Sequence, residues 1–534
     1  MPAITFPDYY PKNHGQDLTD WLVRHGRTVG ELNDLLAFSI TVEKPKAEQF
    51  DAGVLRFFRG RKFMPALLAK AIMDDMDIVS DPLTGLIFRW EGRYWEEYGR
   101  DHIEQKALLM LKDEGNSAKA ADAANMICKL STLPLGRAMN EHPDLICIEN
   151  GMFNLKTGAL LPHDKNYYAS YMLPIAFDPK RLPDCPRWKL FLEEGIGDVA
   201  VIRELQKFFG YCLTRDTKYE KMLIIEGPGG DGKSKVLKVL KALVGSKNTT
   251  HIPMGRLEDQ FYLSKLVGKL LNSFTEIESK AMQSQELKAI VSGDPISASF
   301  KNETPFDFEP FCKLAYSTNR FPKILDNSDG FFRRLLLVRM TRQFVKTGMA
   351  DVDLEEKLLA ELPGIFPWAL AGLAMLRKDR GFSEPEQMLA SLDEYKTSNN
   401  NVLYFIKRHV QADPEGKELK TSHGEKYPSV YDMYTKKCRG WNLTPFGEPQ
   451  FQKEFARLLR DMEIPVGDGK KVIDIDNVGG TKRANCYTGF SIVDEKPEVD
   501  SLPSPPPLPP PAGGRQVEGS AMSVPSGVSG QEKE

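Results

Sequence analysis

The stretch Ile224-Ile225-Glu226-Gly227-Pro228-Gly229-Gly230-Asp231-Gly232-Lys233-Ser234 constrains this chain more than any other. An apolar run ends in a glycine-rich turn, and the turn leads into a segment with helical spacing. Gly227 to Ser234 fits the phosphate-loop pattern G-x-x-x-x-G-K-[ST] at every fixed position. The chemistry needs these residue types. Glycines let backbone N–H groups close around a polyphosphate, and a helix N-terminus adds positive potential. Gly227, Pro228, Gly229, Gly230, Asp231 and Gly232 would form the cradle. Lys233 would reach the outer phosphates of ATP, and the Ser234 hydroxyl would ligate Mg²⁺. Met222 to Ile225 supplies the strand, while Val236, Leu237, Leu240, Leu243 and Val244 share one face of the helix. Strand, turn and helix in that order predict an α/β nucleotide-binding core.

Bulk properties bound the rest. A chain of 534 residues implies roughly three to four domains. Its 41% hydrophobic and 27% charged residues are ordinary for a globular protein. The net charge of -3 gives no global basic field, so contact with nucleic acid would need a local patch or a ring of subunits. Seven scattered cysteines include no C-x-x-C pair, which argues against a zinc site or a disulfide framework and fits a reducing, cytoplasmic setting. The N-terminus has neither the basic nor the apolar region of a signal peptide. No apolar run approaches the ~20 residues of a membrane helix, so no membrane partner is expected.

Beyond the glycine-rich turn, Leu266 to Phe274 predicts a second strand ending in Thr275-Glu276-Ile277-Glu278. A phosphate-loop ATPase needs an acid at the end of the neighbouring strand to hold Mg²⁺ through water and polarise the attacking water. Glu276 and Glu278 share one face of an extended chain. A helix from Gln285 to Val291 follows, then a β-hairpin over Ser297–Phe308 with Lys301 at its charged tip. Repeated around a ring, that lysine would offer positive charge to a DNA backbone; alone it is a surface lysine. The strand Lys313–Thr318 ends in Asn319, whose amide could orient water and sense a γ-phosphate. Arg333 and Arg334 precede the apolar strand Leu335–Val338 and could face a neighbouring subunit's ATP as an arginine finger.

In order, these segments resemble the four motifs of superfamily 3 helicases, specifically the phage, plasmid and poxvirus-type primase-helicases. The A motif is Gly227–Ser234 and the B motif Thr275–Glu278. The B-prime motif runs from Gly293 through Lys301 to Phe306, and the C motif ends at Asn319. Phe332-Arg333-Arg334 looks like the family's arginine element, with Arg334 as the finger and Arg333 as its support. The resemblance implies an AAA+-like core in a hexameric ring, with ATP between subunits and single-stranded DNA in the channel. Glu276 would activate water, and forked DNA and other replication proteins, a primase among them, would be partners. The chain departs from the pattern at Ser299, Phe300 and Glu303, where family members often carry a second basic residue. Another phosphate-loop DNA motor, an initiator ATPase, or the helicase fragment of a bifunctional primase-helicase remain alternatives.

The flanks divide the chain further. Residues 1–40, with Asp17-Leu18-Thr19-Asp20-Trp21-Leu22, look like the closing segment of a Toprim domain; Asp17 and Asp20 could be metal ligands, but a helix cap and a solvated face explain them as well. Residues 41–65 read as a linker at the start of an α+β accessory domain extending to 180. In that domain, Leu86–Trp90 and Tyr94–Tyr98 predict a hairpin whose aromatics read better as core than as base-stacking groups. Leu145–Leu155 predicts strand, Asn-Gly turn, strand. The ATPase core spans 181–345. Residues 346–393 are helical, covering the sheet or forming a lid. Residues 394–495 resemble a winged-helix module, with Lys470, Lys471, Lys482 and Arg483 edging the wing; a structural cap with solvated lysines fits equally well. Residues 496–534 read as a disordered, proline-rich tail.

Overall fold

The structure is a computed structural model that describes residues 52–277, 285–301, 303–322, 329–344, 351–414, 419–420, 429–465, 467–474 and 481–494, besides Thr28 and Gly30. The Toprim-like segment (apart from Thr28 and Gly30), Glu278 and the proline-rich tail therefore lie outside the described residues. The chain divides into two compact units, the smaller running up to Trp90 and resuming over Glu96–Arg137.

The smaller unit is built on three long helices, α1 (Pro65–Asp75), α2 (Arg100–Leu111) and α3 (Ser117–Leu130), beside a short helix (Ala52–Leu55) and the antiparallel strands Ile78–Ser80 and Ile87–Trp90. Pro65 opens α1, where its missing N–H costs nothing. The Asn116 side chain caps α3 by accepting from the Lys119 amide. Ala107, Ala120, Ala123 and Ala124 are fully or almost fully buried, and their small side chains let the helices approach closely. Val54 and Phe57 are buried in the same cluster. Residues from 52 onward are thus part of this unit, not the expected linker.

The larger unit begins with the predicted hairpin, β1 (Leu145–Ile148) and β2 (Gly151–Asn154). Ile146, Ile148 and Phe153 enter one core with Trp188, Phe208 and Phe209. This shared core ties residues 138–180 to the helices and sheet that follow, and the division between the two units falls inside the accessory domain expected over 41–180. Tyr94 and Trp95 also belong to this unit. The Trp95 indole donates to the Lys165 carbonyl at 2.8 Å and stacks on Tyr168, a structural role.

Two helices lead to the sheet: α4 (Pro186–Gly195) and α5 (Val199–Cys212), the latter capped by Asp198. Then come β3 (Met222–Glu226), α6 (Lys233–Val244), β4 (Thr249–Thr250) and β5 (Leu271–Thr275). The expected strand start at Leu266 is displaced to Leu271, because Gly268 takes φ +69° and breaks the extended run. Next are α7 (Gln285–Ser292), the antiparallel hairpin β6 (Ile296–Ala298) and β7 (Phe306–Phe308), β8 (Lys313–Thr318) and β9 (Leu335–Arg339). Five strands form one parallel sheet in the order β4-β5-β8-β3-β9. The continuous apolar run of β3 is explained by burial on both faces. Leu223 and Ile225 join the core built with α4, α5 and α6, whereas Met222 and Ile224 join a second core with Leu287, Ile290 and Tyr316.

Helices α8 (Leu354–Ala360), α9 (Leu362–Asp379) and α10 (Glu386–Asn399) follow. The segment expected as a cover or lid is a layer of the core, because α9 packs directly on α5. A Cβ at Gly372 would lie 2.1 Å from the Gln206 carbonyl, and one at Gly210 would lie 2.4 Å from the Ala369 carbonyl. Among the described residues no single helix is long and apolar enough to cross a membrane.

The last part contains α11 (Asn401–His409), β10 (Val410–Ala412), α12 (Val430–Gly440), α13 (Glu448–Asp461), β11 (Gly467–Asp474), β12 (Thr481–Thr488) and β13 (Phe490–Ile492). Ser429 and Asp432 form a reciprocal capping box at α12. β11 and β12 pair antiparallel over eight residues, and β13 returns to pair with β10. Gly489, at φ +93°, separates β12 from β13.

Candidate nucleotide site at the sheet rim

All five parallel strands point their C-terminal ends to one rim, the edge where open α/β sheets hold ligands. Residues 227–232 join β3 to α6 there. Gly229, Gly230 and Gly232 take φ of +96°, +67° and +91°, conformations that L side chains rarely adopt. Gly227 is required for another reason: a Cβ would lie 2.6 Å from the Met340 carbonyl. At Gly232 a Cβ would meet the Phe191 ring at 2.8 Å. The turn is therefore fixed by packing beneath it as well as by its own glycines. Pro228 and Gly230 are exposed at its surface.

Lys233 opens α6 and is buried. Its ammonium donates to the Gly227 carbonyl at 2.7 Å and to Asp231 Oδ2 at 2.6 Å. Ser234 is exposed on the first turn of the helix.

Glu276 follows β5 at the same rim and is exposed, with φ +70° and its amide donating to the Ser317 carbonyl at 3.0 Å. A glutamate in the left-handed region carries strain of order 1 kcal/mol, which concentrates at functional positions. β5 is not the spatial neighbour of β3, as the sequence suggested. β8 lies between them. Two inter-strand spacings put their axes roughly 10 Å apart. That gap suits an acid acting through water, and a hydroxyl with a carboxylate is the hard oxygen set that Mg²⁺ takes. Among the described residues no three His, Cys, Asp or Glu side chains cluster to hold a metal by themselves. Asn319 follows β8, exposed, and its Oδ1 lies 3.9 Å from where a Gly229 Cβ would be. The amide thus overhangs the turn.

The arginines occupy the other rim. The Met222 amide donates to the Arg334 carbonyl at 2.8 Å, at the start of both β3 and β9. Five residues of strand, at ~3.3 Å each, separate them from the turn, so neither reaches a phosphate on its own subunit. Their exposure differs. Arg334 is 8% exposed and donates to Ser292 Oγ at 2.6 and 3.2 Å, and it pairs with Glu220 at 3.0 Å. The Arg333 side chain is 64% exposed, and its one described ion pair is with Glu220 at 3.1 Å. Arg334 is held within the rim, and Arg333 is the outward guanidinium. Lys301 is exposed at the turn of the β6–β7 hairpin, where Ser299 Oγ bonds the Phe300 and Glu303 carbonyls.

Two features escaped sequence reasoning. Arg339, at the C-terminal end of β9, bridges Glu226 and Glu394 at 2.7 Å each, tying the rim to α10; a lone arginine ending an apolar strand was the available signal. A cavity of about 300 Å³ opens beside Gly230, Gly232 and Ser234, walled by Phe191, Phe344 and Leu354, with Arg187, Glu194 and Asp351 at its edge. The Phe191 and Phe344 rings lie 6.1 Å apart at 29°. Its walls come from three segments distant in sequence, so no local pattern announced it.

Residues 225–334 match the model of a family of unknown function (DUF5906), and residues 66–197 match one described as D5 N terminal like. A protein of Acanthamoeba polyphaga mimivirus named as a candidate helicase, L207/L206, is 25% identical over 338 residues, 57% of this chain. The chain is a distant relative of a viral candidate helicase. It spans only 33% of that relative's length. An uncharacterised mitochondrial protein of Marchantia polymorpha, ymf21, is 25% identical over 124 residues, 21% of this chain and 69% of its own. Apo structures of the NrS-1 C-terminal region overlay 80% of this chain and 99% of theirs with a TM-score of 0.45, at 12% and 10% identity. Overlays that loose add nothing to the geometry above.

Proposed function

We propose that this chain is an ATP-dependent DNA helicase of the superfamily 3 type, with a phosphate loop at 227–234 and ATP bound between the subunits of a homo-hexameric ring. The observation that carries this is the convergence at one sheet rim of a glycine-rich turn, a buried lysine, an overhanging amide and a strained acid. Lys233 and the turn amides would hold the triphosphate. Its base would enter the cavity walled by Phe191, Phe344 and Leu354. Mg²⁺, held at Ser234 and through water at Glu276, would neutralise phosphate charge. Glu276 would accept the proton of the attacking water, and Asn319 would orient that water against the γ-phosphate.

The opposite-rim arginines support action in trans, with Arg333 as the group offered to a neighbour. Lys301 on its hairpin would grip the backbone of single-stranded or forked DNA. The order α11, β10, α12, α13, β11, β12 supports a winged-helix reading of the C-terminal part. A cytoplasmic site of action and a primase partner rest on the sequence alone.

The test is ATP hydrolysis with and without single-stranded DNA, on wild type and Glu276→Gln. Stimulation by DNA that Glu276→Gln abolishes, with ATP binding retained, supports the proposal. Hydrolysis indifferent to DNA, or an active Glu276→Gln protein, overturns it.

A further inference from the structure

Asp231 is only 2% exposed, and its carboxylate lies inside the glycine-rich turn. Oδ2 sits 2.6 Å from the Lys233 ammonium and accepts from the Gly229 amide at 3.3 Å, while Oδ1 accepts from the Lys233 amide at 3.3 Å. Two backbone N–H groups and one ammonium are the donors that such a turn offers to a phosphate. The carboxylate also fills the concave side, since a Cβ at Gly227 would lie 2.1 Å from Oδ2. A buried ammonium is costly without an anion, and Lys233 is 6% exposed. The protein supplies that anion itself.

We propose that Asp231 is a resident anion that selects for polyphosphates. In the ligand-free protein its carboxylate holds the donors, and it must leave Lys233 before a phosphate group takes its place. This rests on the nucleotide-site reading above. Tethered two residues from the lysine, the carboxylate competes at high effective concentration. Sulfate or orthophosphate offers about the same contacts as the carboxylate and loses to it. A triphosphate spans the whole turn and wins. Apparent affinity for any anion is reduced by the fraction of turns whose carboxylate has moved out.

The experiment is calorimetric titration of the full chain with Mg-ATP, inorganic tripolyphosphate and sulfate, on wild type, Asp231→Asn, Asp231→Ser and Lys233→Ala, with thermal melts alongside. Asp231→Asn keeps the shape and an acceptor but removes the charge; Asp231→Ser serves if the amide perturbs the fold. The expected result is tripolyphosphate binding tightened about tenfold or more in both variants, with sulfate, which wild type excludes, becoming a competitor of ATP. Unchanged or weaker tripolyphosphate binding in folded variants overturns the proposal and leaves Asp231 a positioning group. ATP binding that Lys233→Ala abolishes but Asp231→Asn does not improve sinks the resident anion alone. No triphosphate binding by any of the four proteins sinks the nucleotide site as well.

Discussion

Replacing Arg334 by alanine should cost fold stability, whereas replacing Arg333 should cost turnover. Arg334 is 8% exposed, bonds Ser292 Oγ twice and pairs with Glu220. Hydrogen bonds to a charged group contribute about 1.5–3 kcal/mol each and are not additive. The Glu220 side chain is 38% exposed, so its share is small. About 3 kcal/mol is a fair total, which lowers the melting temperature of a unit this large by roughly 4 °C. The Arg333 side chain is 64% exposed, and its pair with the same glutamate contributes little to stability. Its melting temperature should stay put. If it completes a neighbour's site, ATP turnover should fall about 10³-fold. The assays are thermal melts and steady-state ATP hydrolysis, followed by mixing Arg333→Ala with Lys233→Ala. Each mutant spoils a different half of the shared site, so mixed rings should regain part of the activity. A stable but inactive Arg334→Ala beside a fully active Arg333→Ala would refute the assignment, as would mixtures with no recovery.

Three further outcomes are expected. Gly372→Ala forces a methyl to within 2.1 Å of the Gln206 carbonyl; backbone on both sides cannot yield, so urea melts should show a loss of about 2–3 kcal/mol or more. Lys301→Ala should weaken single-stranded DNA binding and flatten its salt dependence by about 0.7 log units per decade for each phosphate no longer neutralised, read by fluorescence anisotropy at several salt concentrations. Lys313 is fully buried, and burial pushes its ammonium down to about 8 from 10.5. Between those values the unfolded chain binds the extra proton, so raising pH through that window favours the folded state. Wild-type stability relative to Lys313→Met should therefore rise from pH 8 to pH 10, measured as a difference so that the Cys212 and Cys312 thiols, which burial pushes up, largely cancel.

Much of the core was legible because its signals are local. The turn 227–232 must contain glycines, since three of them take left-handed conformations. β8 and α7 fall where apolar period and turn residues put them, and the Lys301 hairpin forms as read. Strand neighbours were not legible: the apolar runs of β5 and β8 carry no mark saying which lies beside β3. Exposure of paired arginines was not legible either, because Ser292 and Glu220, which bury and hold Arg334, are 42 and 114 residues away.

The sequence by itself determined that a strand-turn-helix carrying the phosphate-loop pattern stands near the middle of this chain. It also placed an acid and an amide just after successive strands and two arginines just before the next. Only the tertiary structure decided that β8 intervenes between the turn and the acid, that Arg333 faces outward while Arg334 is bound within the subunit, and that residues 138–180 share the core of the larger unit. It alone showed the Asp231 carboxylate inside the turn. Backbone conformation is set by neighbours a few residues away. Burial, strand order and the pairing of charges depend on which distant segments share a core, and that is fixed only when the whole unit folds.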